Sequence, residues 1–535
     1  MRILLRALQV FLVAPALAMS ERPNFLVVMV DDMGFSDPGC YGGEIDTPNL
    51  DKLASGGLRF TQFYNTARCW PSRAALITGR YPHEAGHAMM YGPKAPRAYR
   101  GTTPEQGRFV SELLRPAGYR TYHVGKWHLH SRIAGKPEKG KYASPQYNDS
   151  WPLGRGFHKS YCVKSQNNFF NPNQLFDEDK LVKRPGADGD YYVTSAFTDR
   201  TINYLKQHEK NHKDKPFYLY LAHTAPHFPL HALPGDIERH KARYKIGWDK
   251  IRQQRLARQR ELKLLDCELS PRDEEAVAWD SLSAADQDKW ATRMAIHAAM
   301  VYRIDVGIGR IVEQLRSMGS LDNTLILFLS DNGASAEYLV RGDGHDSTAA
   351  PGSGATYLCL EVGWSNASNT PFRQHKMWTH EGGISTPLIA HWPNGMKQRG
   401  ELTPQVGHII DIAPTLLDLA LVEQDAVNPA VTGKSLAPIL RGEKREPHKF
   451  LFWEHTGNKA IRMGHWKLVA ENGKPWQLFN LNDDRSELND LASGDPKRVT
   501  SMLAEWQAYA NKTGVVDWNS LPQSKRSPGP DYRRK

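Results

Sequence analysis

Residues 24–30, Asn24-Phe25-Leu26-Val27-Val28-Met29-Val30, form a nearly continuous apolar run that ends abruptly in Asp31-Asp32. Residues 324–329, Thr324-Leu325-Ile326-Leu327-Phe328-Leu329, repeat the design and end through Ser330 in Asp331-Asn332. Runs of this length without polar alternation predict strands buried on both faces, the mark of a parallel sheet. Helical patterns accompany them: 48–56 after the first strand, 74–78 further on, and 106–115 before a strand at 120–124. Alternating strands and helices predict an α/β fold, a large doubly wound mixed or parallel sheet flanked by helices. Ligands bind such sheets beyond the carboxyl ends of the strands. Both acidic pairs stand there.

Further along, residues 233–290 are rich in charge and poor in apolar periodicity, which predicts a charged helical insertion framing the substrate entrance. A core helix is predicted to resume over 302–315, where Ile308, Ile311, Val312 and Leu315 recur at helical spacing. From about Ser435 the texture changes to short alternating segments, 459–469 and 476–481, with turn residues Asn472-Gly473. That predicts a small C-terminal antiparallel sheet, closed by an amphipathic helix over 498–509. The domain reading is a signal peptide at 1–18, a catalytic domain over 19–434, an α+β subdomain over 435–518 and a basic, disordered tail over 519–535.

The 535 residues are 40% hydrophobic and 24% charged, ordinary globular composition with ample material for a large core. Arg2 and Arg6 precede an apolar stretch that closes on Ala16-Leu17-Ala18, a small-x-small cleavage pattern, so export to the periplasm or the medium is expected. No Cys follows to carry a lipid anchor, and no later apolar run has the roughly 20 residues of a membrane span. The formal charge of +11 would favour encounter with anionic substrates. Much of it lies in 239–263, read as a solvated helical segment, and in the tail from Lys525. No interleaving of aromatic and basic residues points to nucleic acid. Asn148, Asn366 and Asn511 head glycosylation sequons.

Asp31, Asp32, Asp331 and Asn332 are four hard oxygen ligands at two strand ends, a set that suits calcium or magnesium. Each alone would be an ordinary turn former; two pairs on two buried strands point to metal. The sharpest motif is Cys69-Trp70-Pro71-Ser72-Arg73, followed by Ala74 to Arg80. Pro71 suits the first turn of a helix, which sets Cys69 at its N-terminus, where the macrodipole and Arg73 predict an activated thiolate. A soft thiolate suits neither cation. The five cysteines, Cys40, Cys69, Cys162, Cys267 and Cys359, show no zinc spacing, and their odd number leaves at least one unpaired.

The pattern C-x-P-S-R-x-x-x-x-T-G, completed here by Thr78-Gly79, resembles the signature of type I sulfatases of the alkaline phosphatase superfamily. The resemblance implies that a formylglycine-generating enzyme oxidises Cys69 to formylglycine, whose hydrate is a hard ligand and a nucleophile in one group. It extends along the chain: Asp31-Asp32 and Asp331-Asn332 match the metal pairs, and Gly125-Lys126-Trp127-His128 matches a segment flanking the sulfate. Ala225-Pro226-His227-Phe228-Pro229 resembles a loop with a second histidine, for which His223 is the alternative. Lys376, before His380-Glu381-Gly382-Gly383, takes the place of a further lysine, with Arg373 and His375 as alternatives. The implied calcium site, with magnesium as the alternative ion, is Asp31, Asp32, modified Cys69, Asp331 and Asn332. The implied catalytic set is Cys69, Arg73, Lys126, His128, His227 and Lys376, with His227 or Lys376 protonating the leaving alcohol and His128 acting as base. His83 and His87 are expected on the substrate side. The expected substrate is a sulfated small molecule, a carbohydrate by preference; the alternatives are a formylglycine phosphonate or phosphodiester hydrolase and a non-catalytic sulfated-glycan-binding protein.

Overall fold

The computed structural model describes residues 22–92, 94–103, 107–130, 150–165, 168–183, 191–341, 344–423 and 430–521. The signal-peptide reading, the sequon at Asn148 and the basic tail from Lys525 lie outside them. Asn24–Asp31 is buried nearly throughout because parallel strands flank it on both edges, Phe217–Pro226 on one and Thr324–Ser330 on the other. Around this trio a mixed sheet of ten strands runs in the order Glu401–Thr403, Leu58–Phe60, Leu388–His391, Thr324–Ser330, Asn24–Asp31, Phe217–Pro226, Arg120–Lys126, Lys159–Val163, Leu175–Asp177 and Lys180–Leu181. The five strands from Thr324–Ser330 to Lys159–Val163 are mutually parallel, and antiparallel pairs begin at Leu388–His391 on one side and Leu175–Asp177 on the other.

Period-two alternation divides the first strand between two cores. Leu26, Val28 and Val30 join the core that includes residues of Val193–His212 and Ala284–Ser317. Phe25, Val27 and Met29 join the opposite core, with Ala74, Leu76 and Ile77 of Cys69–Thr78 and Leu416 of Ile412–Leu419. The predicted helix at 106–115 forms over Val110–Leu114 alone. The predicted 302–315 helix is the end of a 34-residue helix, Ala284–Ser317, capped by the Ser283 side chain on the Asp286 amide.

The expectation of a solvated charged segment at 239–263 holds for Arg239, Lys245, Lys250, Arg258, Arg260 and Lys263, which are exposed, but not for Arg252 and Arg255, which are buried. In Trp248–Glu261, Arg255 is fully buried and donates to Asp37 Oδ1 at 2.8 Å and to both Glu44 oxygens at 2.7 and 2.8 Å. Its charge is matched inside the protein, on carboxylates more than 200 positions away in sequence. The C-terminal subdomain is a four-stranded antiparallel meander, Leu451–His455, Asn458–Met463, Trp466–Ala470 and Gln477–Asn480, packed by Met502, Trp506 and Ala510 of Pro496–Thr513.

Candidate active site

Successive side chains of a strand point to opposite faces, yet Asp31 and Asp32 converge. Asp32 has φ 67°, which breaks the alternation at the strand end. One ligand atom each of Asp31, Asp32 and His227 lie within 4.8 Å of one another. From the neighbouring strand end, Asn332 Nδ2 donates to Asp32 Oδ1 at 2.6 Å, and Asp331 Oδ1 accepts from the Asp32 amide at 3.3 Å. Asp31 Oδ1 and Asn332 Oδ1 are buried with no hydrogen-bond partner among the described residues. Two orphaned hard oxygens inside a buried acidic cluster fit a hard divalent cation.

Four cations surround this floor. Lys126 Nζ donates to Asp31 Oδ2 at 2.5 Å, and Arg73 donates to Asp331 Oδ2 through Nε at 3.1 Å and Nη2 at 2.7 Å. Lys376 Nζ reaches Asp32 Oδ2 and Glu337 Oε2, both at 2.9 Å. Arg68 stands further out, 4.0 Å from Glu337. Burial opposes ionisation of Asp31, but Lys126, Arg73 and Lys376 outweigh it and hold that carboxyl below the usual range. Burial dominates at the other two, lifting Asp32 to about 6 and Asp331 to about 7.

Cys69 begins the helix Cys69–Thr78 and is 3% exposed, with Lys126, Lys376, Asp31 and Asp331 as its charged neighbours. The expected activated thiolate is corrected here. Burial pushes the thiol above its usual range, and the attraction of Lys126 and Lys376 does not reverse this. Arg73, about one turn further along the same helix, directs its donors to Asp331 and to the Lys126 and His223 carbonyls.

His227 and Lys376 are brought together. His227 Nδ1 faces the Phe228 carbonyl at 2.5 Å, so the proton sits on Nδ1 and the Nε2 lone pair faces Lys376 Nζ at 3.2 Å. Burial, then Lys376 and Lys126, hold this imidazole neutral well below its ordinary range. His128, at φ 56°, is half-buried against Trp70, with ring centroids 5.5 Å apart. Burial and Lys126 keep it neutral as well, and its Nδ1 has no partner among the described residues.

The competing positions are placed elsewhere. His223 is buried with both ring nitrogens unpartnered among the described residues. His375 lies between Ser365 and Asp273, each 2.8 Å away, and Arg373 donates to the Glu487 carbonyl. The expectation for His83 and His87 is corrected. His83 bonds Glu454 at 2.8 Å and His87 bonds Thr103 at 2.9 Å, each 3% exposed or less. Asn366 is 1% exposed, so its sequon offers no accessible acceptor. Sequence reading missed Glu337, Arg68 and His455, which adjoin Lys376 and Trp70. Only the positions of Arg68 beside Cys69 and of Glu337 shortly after Asn332 could have flagged two of them.

Residues 23–422 match the Sulfatase family model, and residues 373–510 match that of the C-terminal region of N-sulphoglucosamine sulphohydrolase. An uncharacterized sulfatase of Schizosaccharomyces pombe is 32% identical, covering 93% of this chain and 95% of its own. An N-acetylglucosamine-6-O-sulfatase of Bacteroides thetaiotaomicron is 26% identical over 88% of this chain and 83% of its own. Among solved structures, Ps i-CgsB in complex with k-i-k-neocarrahexaose superposes with a TM-score of 0.66 at 25% identity, over 94% of this chain and 99% of that one. With a mixed sheet between helical layers, a separate antiparallel meander and these matches, the chain belongs to the type I sulfatases of the alkaline phosphatase superfamily and is a sulfuric ester hydrolase.

Proposed function

We propose that this sulfatase hydrolyses sulfate esters of carbohydrates, with Cys69 carried as formylglycine and calcium held by Asp31, Asp32, Asp331, Asn332 and residue 69. The observation that carries this reading is a chemical mismatch. A buried thiol that retains its proton is set among hard oxygens, two of them without partners. Oxidation to an aldehyde puts oxygen where the cluster favours oxygen. The aldehyde hydrate supplies a hydroxyl nucleophile and a second hydroxyl for expelling sulfate, and calcium supplies charge neutralisation for the sulfate oxygens.

The chain's own residues do the rest. Lys126, Arg73 and Lys376 form a rigid cationic wall whose ion pairs hold it in place before substrate arrives, so little reorganisation accompanies charge development. Protonation of the leaving oxygen falls to the Lys376–His227 pair: the ammonium carries the proton, and the Nε2 lone pair orients it. His128 Nδ1, neutral and without a partner among the described residues, accepts the proton released when sulfate departs. Two comparisons support a carbohydrate ester: one relative is named for N-acetylglucosamine 6-sulfate, and one neighbour holds neocarrahexaose. The N-terminal segment supports export, and a formylglycine-generating enzyme is the partner this reading requires.

The test is peptide mass spectrometry across residue 69 on protein matured in a host with formylglycine-generating activity, alongside release of sulfate from sugar and aryl esters. A loss of about 18 Da relative to cysteine, in protein that turns over sulfate esters, is expected. Active protein with an intact Cys69 thiol would refute the formylglycine reading.

A further inference from the structure

Arg68 and Trp70 flank the residue proposed as nucleophile, and Glu337 stands across from them on the loop that follows Thr324–Ser330. Arg68 is 6% exposed, yet no carboxylate closes on it. Its Nη2 is 4.0 Å from Glu337 Oε1, its Nη1 is 3.4 Å from His455 Nε2, and its Nε has no acceptor among the described residues. A buried guanidinium held only by a neutral imidazole at 3.4 Å and a carboxylate no nearer than 4.0 Å among the described residues is costly, and proteins keep few such groups without a reason. The guanidinium is held over the Trp70 ring, 4.4 Å from the centroid. Trp70 is half-buried, like His128 beside it, so the cup opens to solvent along this edge. On the proposed mechanism, an alcohol leaving a sulfate bound at residue 69 would pass here.

The 4.0 Å gap separates a donor from an acceptor. A single hydroxyl oxygen about 2.9 Å from both atoms closes the triangle, accepting from Arg68 and donating to Glu337. The indole, with Arg68 over one face, is left half-buried, and its remaining exposed surface suits ring C–H groups. Glu337 Oε2 is already engaged by Lys376 and by Ser335 Oγ, each at 2.9 Å, so the carboxylate is fixed, and its charge repels a second sulfate or a carboxylate at that point. We propose that Arg68, Glu337 and Trp70 form the subsite for the alcohol portion, and that this subsite selects a sugar ring with a free hydroxyl next to the sulfate. The inference rests on the sulfatase reading and names the substrate class within it.

The test compares kcat/KM for 4-nitrophenyl sulfate with that for the best-cleaved hexose monosulfate in a panel covering every ring position, and for its analogue lacking the neighbouring hydroxyl. Wild type, Arg68→Met and Glu337→Gln are measured as matured enzymes. The hydroxyl is expected to be worth about tenfold or more in wild type, as a buried donor and acceptor left unpaired would cost. In both variants the sugar-to-aryl ratio should fall by a similar factor, and removing the hydroxyl should then cost nothing further. Equal losses on aryl and sugar esters in the variants, or a deoxy analogue as good as its parent on wild type, would overturn the subsite. So would aryl turnover with no cleavage anywhere in the sugar panel. Failure of the sulfatase reading looks different: wild type then releases sulfate from neither class.

Discussion

Lys467 lies on the third strand of the C-terminal meander with its ammonium sealed between two carboxylates, Glu381 Oε1 at 2.9 Å and Glu487 Oε1 at 2.8 Å, all three side chains fully buried. Glu381 has other support, because its Oε2 accepts from Arg485 at 2.9 Å, Ser385 at 2.9 Å and Tyr64 at 3.0 Å. Lys467→Met therefore leaves Glu487 as the uncompensated charge. Breaking a buried pair from one side costs about 3–5 kcal/mol, and that loss is expected in urea unfolding followed by tryptophan fluorescence. Adding Glu487→Gln removes the stranded charge and should return at least about 1 kcal/mol. Activity should fall as well. Glu381 opens the short helix Glu381–Ile384, whose Gly382 amide bonds the Arg373 carbonyl, and Asn458 of the meander holds the Met377 carbonyl at 3.0 Å. The loop carrying Lys376 thus hangs on this subdomain. An unfolding free energy for Lys467→Met within about 1 kcal/mol of wild type would refute the claim that the triad locks the subdomain to the sheet.

Calcium affinity should rise with pH up to about 7 and binding should release protons, because the metal-free protein holds Asp32 near 6 and Asp331 near 7 by burial. Calorimetry in two buffers of different ionisation enthalpy checks this, with more protons released at pH 6 than at pH 8; equal release would refute it. The same shifts make the folded metal-free protein bind more protons than the unfolded chain. Its stability should therefore fall as pH rises from the ordinary 3.8 through 6 to 7, and added calcium should restore it. Cys69→Ser should take up one sulfuryl group, a gain of about 80 Da by intact mass, and then stop, since a single hydroxyl has no second oxygen with which to expel sulfate. Sustained turnover by that variant would rule the scheme out.

The sheet was legible because two apolar runs without alternation can be buried only between neighbours, and their acidic ends marked the binding edge. Residues whose role depends on where the chain returns were not legible. Arg255 reads as one more surface charge in a basic helix, and nothing local indicates that Asp37 waits 218 positions away. His83 follows the nucleophile motif closely in sequence, but Gly79 at φ 67° ends the helix and sends the chain towards Tyr99 and Glu454, away from the cup. Glu337 and Arg68 meet across 269 positions, each unremarkable alone. Burial, too, escaped the motif: the helix N-terminus suggested a thiolate, and only the packing around Cys69 shows that desolvation prevails.

All five cysteines are unpaired and buried, and for the formylglycine proposed at residue 69 this would set a chronology. Once the helix Cys69–Thr78 has docked, its first residue is closed to any macromolecular catalyst. On the proposed reading, oxidation of that thiol would precede docking, in a chain still extended enough to thread through another enzyme's cleft. At that stage the five thiols differ only in the letters around them, so the residues after Cys69 serve as an address before they serve as structure. Folding then acts as the deadline, and a chain that folds early keeps its sulfur.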